Sequence, residues 1–145
     1  MLLTGILIAA AAGILMSVQG VCNTAVSKSA GLWTTGVFVS LTAAAFCMVI
    51  RVFLSGEQPF SVLGTIRPRY LLLGGLFGAL ITGTVVAAIT RLGTARAELI
   101  IVASQLIAAY AISVGGWLGS EQEAFSWQRA AALAVTLAGV IWYSH

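Results

Sequence analysis

The sequence predicts an all-α membrane protein, a single domain over residues 1–145 with five transmembrane helices that pair with a second, inverted copy into a ten-helix bundle of two-fold symmetry. Three observations predict it. The chain is 60% hydrophobic and 8% charged, with a mean hydropathy of +1.06, against about 45–50% apolar and about 25% charged in a soluble domain. Five apolar stretches, 2–21, 32–50, 70–89, 99–118 and 127–143, reach or approach the roughly 20 residues that a helical span needs. The seven basic residues fall between these stretches or at their ends, and they divide almost evenly between the two sides of the bilayer.

Each span has its own support. The first apolar stretch is about as long as a full span and its first basic residue is Lys28, so a cleaved signal peptide is not expected. Gln19 and Asn23, four residues apart, share one face of this helix, and Ser27 continues that face if the helix runs on. Gly5, Ala9, Gly13 and Ser17 form a smooth stripe along it. Trp33 opens the second span, as expected of an aromatic at the headgroup level. Both prolines lie in the long connection 51–69, where Phe60, Val62 and Leu63 can rest in the interface. Pro68 suits the first turn of the third helix, where no amide donor is required. Tyr70 opens that helix, and Gly74 and Gly78 give it a small-residue face. Trp117 closes the fourth span, which carries Gly115 and Gly119. The fifth is the shortest and is bordered by Trp127 at one end and Trp142 and Tyr143 at the other. Small-residue stripes let helices approach closely in lipid; they fit packing within one bundle as well as a dimer face.

Five spans put the termini on opposite sides. The amino-terminal side receives Arg51, Arg67, Arg69 and Arg129, and the other side Lys28, Arg91 and Arg96, a four-to-three split. Orientation normally follows an excess of Lys and Arg in the cytoplasm, so two opposite insertions lie close in free energy unless the Arg67 and Arg69 pair outweighs the count. Two copies inserted oppositely have a two-fold axis in the membrane plane, the symmetry that inverted repeats give many secondary transporters. Exchanging the conformations of the two copies then exchanges an inward-open for an outward-open state.

Polar groups within the spans are few. Gln19, Asn23 and Gln105 are amides that need a partner, because an unbonded amide in hydrocarbon costs several kcal/mol. They serve as glue between helices or as contacts to a substrate. Tyr110 lies mid-span and either packs or bounds a cavity; Ser113 follows one turn on. Thr82 and Thr84 can bond their own backbone one turn earlier. Glu98 is the only carboxylate flanking a span. It is either an acid at a helix start, favoured by the helix dipole, or an acid that couples transport to a proton or cation. Cys22 and Cys47 lie toward opposite faces and are expected to be unbridged apolar fillers. The single His145 and the absence of metal-ligand spacing predict no metal and no cofactor. A net charge of +3 divided between two sides predicts contacts to lipid headgroups and not to nucleic acid.

Three segments carry a family resemblance. GILMSVQGVCN at 13–23, LLGGLFG at 72–78, and RLGTA opening 91–105 with Gln105 at its end resemble the short, five-helix YdcZ-like branch of the drug/metabolite transporter superfamily, over nearly the whole chain. The resemblance implies a multi-pass protein of the inner membrane that transports through a pair of inverted five-helix units. Members of the branch resemble dual-topology homodimers, paired genes or fused repeats, so a homodimer and a heterodimer with a related chain are both open. Where many relatives carry an acid about two turns after the fourth-helix glutamine, this chain has Ser113, which leaves proton coupling at that point in question.

The resulting expectation is a non-enzymatic secondary transporter of a small organic metabolite or drug-like compound, working by alternating access as an antiparallel homodimer. Gln19, Asn23, Gln105, Tyr110 and Ser113 are the expected substrate contacts, and Glu98 is the coupling candidate. A dual-topology ion channel, with amides and hydroxyls lining a narrow pore, and an accessory subunit of a heterodimeric transporter are the alternatives. Turnover separates channel from carrier, and activity of a purified homodimer excludes the accessory role.

Overall fold

The computed structural model describes residues 2–54, 56–118 and 120–144. Gly119 of the small-residue pair and the terminal His145 lie outside them. All five predicted helices form: α1 (Leu2–Ala30), α2 (Leu32–Phe53), α3 (Gly74–Leu92), α4 (Thr94–Gly115) and α5 (Trp127–Ser144). No strand occurs among the described residues.

Their ends differ from expectation, and the basic residues explain most of the difference. α1 runs nine residues past Val21 to Ala30, so Lys28 lies in its last turn, where a cation meets the negative end of the helix dipole. At 29 residues it spans about 43 Å, more than the roughly 30 Å of a hydrocarbon core. Tilt, or a last turn standing among the headgroups, absorbs the excess. α4 starts at Thr94, five residues earlier than expected, and takes in Arg96. The third span begins with 3-10 turns at Arg69–Leu73 before α3 takes over at Gly74. Pro68 precedes those turns in an extended conformation, at φ −74° and ψ 150°, and is not part of the α-helix.

What separates α1 from α2, and α3 from α4, is one glycine each. Gly31 has φ 83° and ψ 157°, and Gly93 φ 80° and ψ 161°. This backbone region is essentially closed to residues with a Cβ, so glycine is what permits so short a link between two helices. After each glycine the new helix bonds back to it: Thr35 N–H donates to the Gly31 carbonyl at 3.1 Å, and Ala97 N–H to that of Gly93 at 3.1 Å.

Among the described residues, four stretches are long and apolar enough to cross a membrane: Leu2–Ala30, Leu32–Phe53, Arg69–Leu92 and Thr94–Gly115. α5 is an 18-residue helix whose first turn holds Gln128 and Arg129, which lowers its apolar content below that of the others.

The chain divides into two compact units, Met1–Thr90 and Arg91–His145. In the first, α1 packs on α2, and the buried set is Gly20, Asn23, Thr24, Thr35, Val86 and Ile89. In the second, α4 packs on α5, and Ala97 and Ala103 are buried. Small side chains dominate these interiors, as expected where helices gain by close approach and not by expelling water. The large apolar side chains face outward instead: Leu15 and Phe46 are each 67% exposed, which is stable only if the surroundings are as apolar as they are.

The link between α4 and α5 folds back over the end of α4. Gly116 and Leu118 take left-handed conformations, at φ 63° and 58°, and the returning chain supplies donors to the orphan carbonyls that every helix end leaves. Ile112 accepts from Trp117 N–H at 3.2 Å and from the Ser120 hydroxyl at 3.2 Å, Ser113 from Glu123 N–H at 2.9 Å, and Val114 from the Gln122 side chain at 3.3 Å. Gly115 serves this cap as well: a Cβ there would stand 2.8 Å from the Trp117 ring. Its small size accommodates an indole of its own chain.

Candidate functional site

α1 places Gln19 and Asn23 one turn apart, and both line a cavity of about 50 Å³ with Met16 and Gly20 from α1 and Ile81, Thr82 and Val85 from α3. The α1 contribution was readable from the four-residue spacing. The α3 wall was not, because Ile81 and Val85 look like any lipid-facing residue and Thr82 like any helix hydroxyl.

Hydroxyls and amides behave differently here. Thr24 donates to the Gly20 carbonyl at 2.8 Å, Thr82 to Gly78 at 3.0 Å, Thr84 to Leu80 at 2.9 Å and Ser104 to Ile100 at 2.8 Å, each one turn back on its own helix. The side-chain amides of Gln19, Asn23 and Gln105 make no hydrogen bond among the described residues. Asn23 is only 8% exposed, so its uncommitted donors and acceptors face the cavity. Thr82, its proton given to Gly78, keeps oxygen lone pairs for the same space. Gln105 is exposed on α4, in the second unit.

Tyr110 is committed at its hydroxyl. It donates to the Ser126 carbonyl at 3.0 Å and accepts from Ser126 N–H at 3.0 Å, while its ring lies 6.1 Å from that of Phe125. The ring also lines a cavity of about 260 Å³ between α4 and α5, with Leu106, Arg129, Ala132, Leu133 and Thr136. Arg129, which the sequence reading used only as a topological charge, is at this cavity and forms an ion pair with Glu123. Ser113 sits in the last turn of α4, its carbonyl engaged by Glu123 N–H.

Glu98 is the fifth residue of α4, which has no acid in its first turn. The dipole account therefore weakens, since that effect fades beyond the first turn. Its Oε1 is buried without a hydrogen-bond partner among the described residues, and no ion pair with Arg96 forms. No group of three or more His, Cys, Asp or Glu able to hold a metal is found among the described residues. Cys22 and Cys47 are both free.

The profile of the family described as "Putative inner membrane exporter, YdcZ" matches residues 4–142. The chain belongs to this YdcZ family. With four helices apolar enough to cross a bilayer, it is a multi-pass protein of the inner membrane, and its family is one of exporters and not an enzyme class. No curated protein and no solved structure matches the chain.

Proposed function

We propose that this YdcZ family member is a secondary transporter that exports a small organic molecule by alternating access, working as an antiparallel dimer of five-span chains. The observation that carries the reading is the set of three amides, Gln19, Asn23 and Gln105, left without hydrogen bonds among the described residues, whereas Thr24, Thr35, Thr82, Thr84, Thr90 and Ser104 each donate to backbone one turn back. Unbonded amides in lipid are costly; a polar substrate meeting them repays that cost during each cycle. The cavity at Gln19 and Asn23, about 50 Å³, holds little more than one water at roughly 30 Å³ and falls well short of the roughly 300 Å³ at which drug-sized sites begin. It suits one polar group of a substrate, with a second copy completing the enclosure. Gly5, Gly13, Gly74 and Gly78 support that second copy, since a Cβ at any of them would meet nothing within 4 Å, leaving smooth faces uncovered. Tyr110 and Ser113, on α4, are further substrate contacts in this reading. Glu98 is the coupling acid, supported by its buried, unpartnered oxygen.

The test is transport by reconstituted Gln19→Leu and Gln105→Leu. An apolar replacement leaves no orphan group, so both variants should stay folded and dimeric while transport is lost. Wild-type transport in both would overturn the assignment.

A further inference from the structure

The last turns of α2 and the connection after it line a third, open cavity, of about 430 Å³, among Cys47, Met48, Arg51, Leu54, Glu57 and Phe60. Arg51 lies in the last turn of α2, at the end of an apolar span, which sets the cavity at the level where hydrocarbon gives way to headgroups. Its volume is that of a real ligand site.

The two charges in it are incompletely used. Of five guanidinium N–H donors, Arg51 commits Nη2 to the Gln58 carbonyl at 2.8 Å. Nη1 stands 3.8 Å from Glu57 Oε2, an ion pair too long to be a hydrogen bond. The guanidinium is held 4.4 Å above the Phe60 ring, a cation–π contact that fixes its plane. A preset fork with spare donors matches a phosphate, and beside it a carboxylate accepts no hydrogen bond among the described residues.

We propose that this cavity binds a phospholipid whose headgroup joins a phosphate to a primary ammonium. The phosphate takes the spare Arg51 donors, the ammonium donates to Glu57, and the adjoining acyl carbons lie against Met48, Leu54 and Phe60. Charge complementarity selects this occupant: an anionic lipid or free phosphate satisfies Arg51 but is repelled by Glu57, and a quaternary headgroup has no N–H for the carboxylate. The inference stands independently of the transport reading.

Cys47 at the cavity wall reports occupancy. The full chain carrying Cys22→Ser is placed in nanodiscs of phosphatidylcholine, alone or mixed with phosphatidylethanolamine or phosphatidylglycerol, and maleimide labelling of Cys47 is timed. Phosphatidylethanolamine should slow labelling about tenfold relative to both other lipids, the effect expected of one charge-assisted hydrogen bond, and should stay bound in native mass spectrometry. Glu57→Gln should erase the preference over phosphatidylglycerol, Arg51→Lys should weaken binding by removing the fork while keeping the charge, and Arg51→Gln should abolish it. If Arg51→Gln does not fold, the comparison of the unaltered pair with Glu57→Gln decides, because Glu57 lies in an exposed connection. Equal labelling in all three lipids, equal protection by phosphatidylglycerol, or protection by inorganic phosphate in detergent would overturn the assignment.

Discussion

At the scale of single residues, the deciding contrast is between side chains that bond their own backbone and side chains that bond nothing. The amides at Gln19 and Asn23 were legible from spacing alone, because four residues return a helix to the same face. Tyr110 was not: the sequence says only that it is mid-span, whereas its hydroxyl clasps both backbone groups of Ser126. Tyr110→Phe deletes one donor and one acceptor and should cost about 1–3 kcal/mol, read as a lower denaturation midpoint in detergent. An unchanged midpoint would mean that the clasp contributes nothing. Glu98 calls for a functional measurement. If it couples, Glu98→Gln should abolish accumulation driven by a proton or cation gradient while exchange of substrate down its own gradient persists. Gradient-driven transport at the wild-type rate would leave Glu98 with a packing role.

Among the elements, helix existence was plain in the apolar composition and helix ends were not. Lys28 and Arg96 read as loop residues because they are charged, yet both are helical, since a long side chain can reach the interface from within a last or first turn. The one-residue links were hidden for another reason. With 16 glycines in the chain, nothing marks Gly31 and Gly93 as the two that must hold a positive φ; only the backbone distinguishes them. Gly31→Ala and Gly93→Ala should each cost about 1–3 kcal/mol through that conformation, although no neighbouring atom lies within 4 Å of the added Cβ. Gly139→Ala, in open space within α5 and without a positive φ, provides the control and should be neutral or slightly stabilising. Comparable losses at Gly139 and Gly31 in thermal unfolding would discard the backbone explanation.

For the molecule as a whole, the sequence speaks about orientation and the structure of one chain does not, because insertion is set by the bilayer and by charge. With a four-to-three split of basic residues, one or two lysines added to a single connection should tip insertion one way. Two variants biased in opposite senses should each lose transport and regain it when co-expressed; full activity from a single locked variant would refute the antiparallel pair. The one-glycine links add a consequence for enzymes that cut exposed chain. Two of the four connections are one residue long and offer a protease no purchase, and in the proposed five-span insertion both would fall on the same side of the bilayer. The two longer connections, after α2 and after α4, would then fall on the other side. A population inserted both ways should therefore be nicked to about half by protease added to one side of sealed vesicles, at those two segments alone, and to completion once the vesicles are opened.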